Sequence, residues 1–350
     1  MKIGLLGYGT IGSSVYELLK NEIVMVFDIE EKRHLIKNAI FTSSAYDIVS
    51  SPLIDTVIEC LGGDSLPYEL IKTSLLNGKN VITSNKEVVS NHLPEFINLS
   101  KENNVSFFFE ASVGGGIPII NNLIDLVNVD EVNHIYGIIN GTTNYILTKI
   151  SEGLSFDEAL DLAMKNGFAE RDPSADLEGL DLRRKISILS SIAYKSYIKD
   201  EDIKTTPMTF INKDLMSKVN SLGYSIKYIA ESIKSGDEIK IVVEPVLFKS
   251  SDLISNVNDE FNMIIINTLN NGLLSFYGKG AGKYPTASSI VQDLERIKKG
   301  IKQNIILDNN LIIKNDTKSL YLRYKDGEIN FTSKFSDDAI YLRVGPYEEI

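Results

Sequence analysis

The stretch KIGLLGYGTIGSSVYELL, residues 2–19, decides how the first part of the chain folds. A short apolar run, Lys2 to Leu6, leads straight into Gly7-Tyr8-Gly9-Thr10-Ile11-Gly12, and helical spacing follows through Leu19. Strand, Gly-x-Gly-x-x-Gly, helix is the context that a dinucleotide fingerprint requires. The first glycine permits the turn, the second lets backbone approach a pyrophosphate, and the third lets helix pack on strand. The helix start adds free N–H groups for phosphates. Alone, the motif is weak. A second strand, Ile23 to Phe27, ends in Asp28, 16 residues past Gly12. A carboxylate there accepts from a ribose hydroxyl and repels a 2′-phosphate, which favours NAD. Lys32 and Arg33 nearby leave NADP open. The ordinary alternative is a strand-end Asp capping the next turn.

The alternation continues. Thr56 to Leu61 is an apolar strand ending in Gly62-Gly63, and Pro67 to Leu76 reads as a helix closed by Gly78. Lys79 to Thr83 is a strand giving way to Ser84-Asn85-Lys86. A helix over Leu93 to Lys101 precedes a strand, Val105 to Phe109, that ends at Glu110. Such alternation predicts a parallel, doubly wound α/β sheet of the Rossmann type, with ligands at the carboxyl ends of its strands. Lys86 sits at such an end, although a surface lysine is its ordinary reading. Glu110-Ala111-Ser112-Val113-Gly114-Gly115-Gly116-Ile117-Pro118 leads into the next helix, and its glycines free backbone groups for a ligand or simply make a tight turn.

From about Asp130 the pattern changes. Glu131 to Ile139 reads as a strand, then Asn140-Gly141-Thr142-Thr143-Asn144 opens a helix to Ile150. Ser155 and Glu158 make a capping box. Strands follow near Tyr224 to Ile229, Glu238 to Leu247, Asn262 to Leu269 and Leu273 to Tyr277, the last two joined by a hairpin signal at Asn270-Asn271-Gly272. Antiparallel strands with helices on one face predict an α+β dimerisation domain, hence a homodimer. Glycines from Gly278 to Gly282 then precede a helix to about Lys302. The expected division is 1–115, completed by a returning helix at about 285–303, then 116–284, then a short extension, 304–350.

The densest charge lies in GFAERDPSADLEGLDLRRK, residues 167–185, which gathers Glu170, Asp172, Asp176, Asp181 and Lys185. Asp181 and Lys185 are four apart, so on a helix they share a face. Two carboxylates and an ammonium held together suit a small zwitterion and a proton transfer. A solvated i,i+4 ion pair is the bland alternative.

This stretch resembles the signature of homoserine dehydrogenases: Ala163, Gly167-Phe168-Ala169, Asp172-Pro173, Asp176-Leu177, Gly179, Asp181 and Lys185. Gly141 to Leu147 and the Gly-x-Gly-Ala-Gly-x-x-Pro-Thr-Ala run from Gly278 also resemble that family, so the likeness spreads from Gly7 to Ser289. It implies reduction of L-aspartate 4-semialdehyde to L-homoserine with NAD or NADP, on the path to threonine and methionine. Lys185 would donate or accept the proton, Asp181 would bind substrate and orient Lys185, Glu170 would hold the substrate ammonium, and Lys86 would assist. Gly7 to Gly12, Asp28, Gly62, Ser84, Lys86 and Gly282 would bind cofactor. The resemblance further implies a monovalent cation, Na⁺ or K⁺, on Glu110, Val113, Gly115 and Ile117. Many relatives add a regulatory domain, and the short strands read here near Ser319 to Tyr324 and Ala339 to Val344 make full feedback by threonine doubtful.

Bulk properties agree with this class. The 350 residues exceed one ordinary core. A net charge of −11 speaks against nucleic acid or an anionic membrane as partner. Cys60 is alone, so no disulfide or cysteine metal site is expected, and the three histidines are scattered. The start reads as strand and turn rather than a leader, and no apolar run of roughly 18 residues spans a bilayer, so a cytoplasmic location is expected. Two rivals stay open: a dehydrogenase for another amino acid, and a non-catalytic dinucleotide sensor.

Overall fold

The structure, a computed structural model, describes residues 1–19, 21–315, 319–333 and 339–346. Parts of the extension read from sequence, 316–318, 334–338 and 347–350, lie outside these. The chain divides into two compact units. The first takes 1–129, 191–197 and 281–308, and the second takes 130–190, 198–280 and 309–350.

The first unit alternates strand and helix: β1 (Ile3–Leu6), α1 (Thr10–Leu19), β2 (Ile23–Phe27), β3 (Ile40–Thr42), α2 (Ala45–Val49), β4 (Thr56–Glu59), α3 (Ser65–Leu76), β5 (Asn80–Thr83), α4 (Lys86–Glu102), β6 (Phe107–Phe108) and α5 (Ile120–Leu126). Its six strands are all parallel, in the order β3-β2-β1-β4-β5-β6. The order reverses between β1 and β4, where such sheets bind ligands at the strands' carboxyl ends. Ile3, Leu5, Ile58, Ile82 and Phe108 fill one face of the core with Val15 and Leu19 of α1. Ala287, Ile290 and Leu294 of the returning helix (Lys283–Lys298) close it.

One helix departs from the sequence reading. The segment expected from Leu93 begins at Lys86, and α4 runs through Pro94. Proline lacks an N–H, so the carbonyl four residues back loses its helical donor. Here the Tyr197 hydroxyl reaches Ser90 O at 3.0 Å and Asn91 O at 2.9 Å. That partner is distant in sequence, so a proline that reads as a helix start sits in a helix interior.

The second unit holds β7 (Val132–Ile138), α6 (Gly141–Ser151), α7 (Phe156–Lys165), α8 (Ser174–Leu177), α9 (Leu180–Ala193), β8 (Lys204–Thr205), α10 (Lys213–Ser221), β9 (Tyr224–Ser235), β10 (Glu238–Lys249), β11 (Phe261–Thr268) and β12 (Gly272–Lys279). Among the described residues its mixed sheet runs β12-β11-β7-β9-β10 and continues into β16-β14-β15; β8 and β13 (Ile312–Ile313) also pair with β10. The added strands are β14 (Tyr321–Lys325), β15 (Glu328–Thr332) and β16 (Ile340–Val344).

The extension is anchored through one buried cation. Arg343 on β16 is 1% exposed and bonds Glu231, Glu244 Oε1 at 2.7 Å and Gly345 O at 2.7 Å. Glu231, itself wholly buried, also holds His134 Nε2 at 2.6 Å. Removing one partner of a buried pair strands the other's charge. Arg343→Ala should therefore destabilise the protein by about 3–5 kcal/mol. Chemical denaturation of the variant measures this, and a loss within experimental error of zero would contradict it.

Candidate active site

The glycine loop follows β1. Gly7 has φ +96°, which side chains resist, and a Cβ on Gly12 would lie 1.9 Å from Gly7 O. The first glycine is thus needed for the turn and the third for the approach of α1. A Cβ on Gly9 would meet nothing within 4 Å. The second position therefore faces open space, as a loop that seats a pyrophosphate requires. The loop fits a dinucleotide.

Asp28 ties this loop to β2. Its Oδ2 accepts from Tyr8 N at 2.5 Å and Lys32 Nζ at 3.0 Å, and its Oδ1 from Ile29 N at 2.7 Å. Burial pushes the carboxyl up, but the Tyr8 and Ile29 N–H groups and the Lys32 ammonium outweigh it and hold it below the usual range. A carboxylate accepts about four bonds, so Oδ1 retains room for a ribose hydroxyl.

Gly62 lies exposed in the loop after β4, and Asn85 braces that loop from β5. Asn85 Nδ2 donates to Gly63 O at 2.7 Å, while its Oδ1 caps α4 through Glu87 N and Val88 N. This makes half-buried Lys86 the first residue of a helix, not a strand end with a free loop behind it. Ser84 N donates to Glu59 O at 3.3 Å. Gly282 is the N-cap of the returning helix.

Beneath this rim lies Glu59, which sequence reasoning passed over. It is wholly buried, accepts from Leu61 N at 2.6 Å and bonds the Thr83 hydroxyl. Burial pushes its carboxyl up to about 7, against the lowering effect of the bonds from Thr83 and Leu61. A folded-state value above the unfolded one adds stability that is full below about 4 and is lost as pH rises through about 7. Glu59→Gln, which mimics the protonated form, should flatten the fall in thermal midpoint between pH 5 and 8 that this shift predicts for the wild type; parallel melting curves over that range would refute this.

Glu110 is buried too, but its carboxylate is spoken for. Oε1 accepts from Ile119 N at 2.6 Å and Ile120 N at 2.8 Å, and Oε2 from Asn121 N at 2.8 Å and the Asn121 amide. Asn121 Nδ2 also reaches Asp293 Oδ1 at 2.9 Å. The side chain thus caps α5, which leaves main-chain oxygens as the groups a cation would find. Gly115 O already accepts from Ser289 Oγ at 2.6 Å. No group of three or more His, Cys, Asp or Glu side chains among the described residues could hold a metal ion.

In the second unit, Asp181 and Lys185 rise from one face of α9 as their spacing requires. Lys185 Nζ donates to Asp181 Oδ2 at 2.6 Å and Ile139 O at 2.7 Å, and the residue is 8% exposed. An ammonium has three donors, so one N–H remains for a substrate oxygen. Burial distinguishes this pair from a solvated surface bridge.

Asn140 organises the cluster, and sequence reasoning gave it no role. As N-cap of α6, its Oδ1 accepts from Thr143 N at 2.9 Å. Its two amide protons then bridge Asp176 Oδ1 at 2.7 Å and Asp181 Oδ2 at 2.8 Å. Burial and the Asp181 charge raise the Asp176 carboxyl. The Asn140-Gly-Thr-Thr run signals a cap, but nothing in it signals carboxylates 36 and 41 residues away. Glu170, by contrast, is exposed on the segment between α7 and α8.

The homoserine dehydrogenase of Bacillus subtilis (strain 168) is 35% identical over 322 residues, covering 87% of this chain and 74% of that protein. That of Synechocystis sp. is 34% identical and covers 85% of this chain and 73% of its own. The solved homoserine dehydrogenase from Thiobacillus denitrificans matches with a TM-score of 0.90 at 25% identity, covering 99% of this chain and 98% of that one. A hyperthermophilic archaeal homoserine dehydrogenase, solved in complex with NADPH, matches at 0.74 and 25% identity, over 86% of this chain and 98% of its own. Fold and site define an NAD(P)-dependent oxidoreductase. The family model for the NAD-binding domain of homoserine dehydrogenase matches residues 7–110, and that for homoserine dehydrogenase itself matches 118–294. The chain belongs to the homoserine dehydrogenase family.

Proposed function

We propose that this chain interconverts L-aspartate 4-semialdehyde and L-homoserine with Lys185 as the proton donor and acceptor. The observation that carries this is the buried Lys185 ammonium, fixed by Asp181 and Ile139 O with one donor left over. A nicotinamide dinucleotide held by the glycine loop would supply the hydride chemistry at the aldehyde carbon. Lys185 Nζ–H then gives its proton to the oxygen as alkoxide character develops, and recovers it in the reverse direction. Asp181 keeps the ammonium oriented and Asn140 keeps Asp181 oriented. With Asp176, the cluster holds two carboxylates against one ammonium, an arrangement that attracts the substrate's own ammonium. Glu170 adds a third carboxylate from the exposed loop, and Lys86 supplies positive charge for the substrate carboxylate or the reacting oxygen.

Gly7 to Gly12, Asp28, Gly62, Ser84, Lys86 and Gly282 make up the proposed cofactor set, and Asp28 gives NAD the advantage. Asp28→Ala should lower kcat/KM for NAD by about tenfold or more and narrow the NAD to NADP ratio. An unchanged ratio would remove Asp28 from cofactor choice. A monovalent cation, Na⁺ or K⁺, would sit on Glu110 and the main-chain oxygens of Val113, Gly115 and Ile117, outside the proton path.

A homodimer is supported by β12, which pairs only with β11 among the described residues and exposes Leu273 by 64% and Tyr277 by 56%. Sedimentation at working concentration decides this. The reaction places the chain in threonine and methionine biosynthesis, and its charged metabolites and lone Cys60 fit the cytoplasm. The proposal is tested by following reduced nicotinamide with L-aspartate 4-semialdehyde beside other short aldehydes. Preference for another aldehyde would move the reading to a different dehydrogenase.

A further inference from the structure

The second unit carries another buried lysine that the proposed reaction does not use. Lys227, on β9, is 4% exposed. Its ammonium donates to Val257 O at 2.6 Å and to Asn258 Oδ1 at 3.2 Å. Both acceptors are neutral. Among the described residues no carboxylate pairs with it, whereas Lys185 has Asp181 at 2.6 Å. Burial accordingly pulls the Lys227 ammonium down to about 8, with only the more distant Asp259 charge opposing. One donor of the three is left over.

Lys227 lines a cleft of about 150 Å³ together with Thr148, Asn220, Ser225, Ser255 and Asn258. A cavity of that size holds a molecule of about six heavy atoms, the volume of benzene. Its lining is polar, however, with hydroxyl and amide groups around the cation. The cleft is also separate from the Lys185 cluster. Asn140 bonds that cluster from the start of α6, whereas Thr148 lies in the last turn of the same helix. At 1.5 Å per residue the two ends stand roughly 12 Å apart.

We propose that this cleft is a second ligand site, taking a small carboxylate whose oxygens pair with the Lys227 ammonium. The missing counter-charge is what the ligand provides: a buried ammonium is stabilised most by an anion within hydrogen-bond reach. Such a ligand binds in the millimolar range, because few atoms are in contact. Glu152 also lines the cleft, so a carboxylate that carries an ammonium of its own gains a second anchor there.

Saturation-transfer NMR on the full chain, with acetate and glycine as probes in separate samples, tests this. Wild type should transfer saturation to at least one probe, and Lys227→Met, close in volume, should weaken its affinity by about tenfold or more. Asn258→Asp places a carboxylate on the lysine from an exposed position and should abolish the signal without unfolding the chain. Lys185→Ala should retain it, which separates this cleft from the Lys185 cluster. A signal that survives both Lys227→Met and Asn258→Asp, that vanishes in Lys185→Ala, or that is absent from wild type at tens of millimolar probe overturns the proposal.

Discussion

Lys185→Ala is expected to lower kcat by about 10²–10⁴-fold while cofactor affinity stays within a factor of about two of wild type. The large effect follows from position. The Lys185 ammonium is hydrogen-bonded to Asp181, which Asn140 holds beside Asp176, and it retains a donor after its two fixed bonds. The small one follows because the glycine loop belongs to the other unit. Truncation also removes the ammonium at 2.6 Å from buried Asp181, which costs stability. Lys185→Arg separates these effects, since a guanidinium keeps the charge but does not release a proton near neutrality. If Arg restores the thermal midpoint without restoring turnover, the lysine acts through its proton. If Arg turns over near wild type, it acts as a fixed charge, and the proton comes from elsewhere.

Gly12→Ala is expected to lower dinucleotide affinity by about 100-fold and stability by about 1–3 kcal/mol, because the new Cβ would stand 1.9 Å from Gly7 O. Gly7 O is backbone and a Cβ has no rotamer, so neither partner can yield without a shift of the main chain. Gly9→Ala is the instructive companion. A Cβ there meets nothing, so folding stability should stay within about 0.5 kcal/mol. Affinity should still fall, because the methyl fills the space where a pyrophosphate approaches. Fluorescence titration with reduced nicotinamide dinucleotide beside a thermal melt measures both quantities. An affinity unchanged in Gly9→Ala would mean that the phosphates are held elsewhere.

Several parts of this protein were legible because their physics is local. The glycine loop announces its own turn and close approach, and the spacing of Asp181 and Lys185 puts them on one face wherever α9 forms. The Asn270-Asn271-Gly272 signal does join β11 to β12, with Gly272 at φ +66°. What escaped depends on partners far away in sequence. Asn140 reads as a helix cap, and only the fold brings Asp176 and Asp181 to its amide. Glu59 reads as one residue inside the apolar run Thr56 to Leu61, yet burial pushes its carboxyl up to about 7. Pro94 reads as a helix start until Tyr197 supplies the missing donor. Glu110 reads as a strand-end carboxylate, and only the fold brings it to the N–H groups of Ile119, Ile120 and Asn121. Arg343 lies in a strand that reads only as part of a short extension, and its burial against Glu231 and Glu244 depends on strands about a hundred residues earlier.

The measurement closest to the central claim is the absorbance of reduced nicotinamide when wild-type protein meets L-homoserine with NAD or with NADP, repeated with Lys185→Arg under the same conditions. The account predicts reduction by wild type, faster with NAD, and a loss of about 10²-fold or more in the variant. Silence from wild type with both cofactors, or equal rates from wild type and Lys185→Arg, would contradict it.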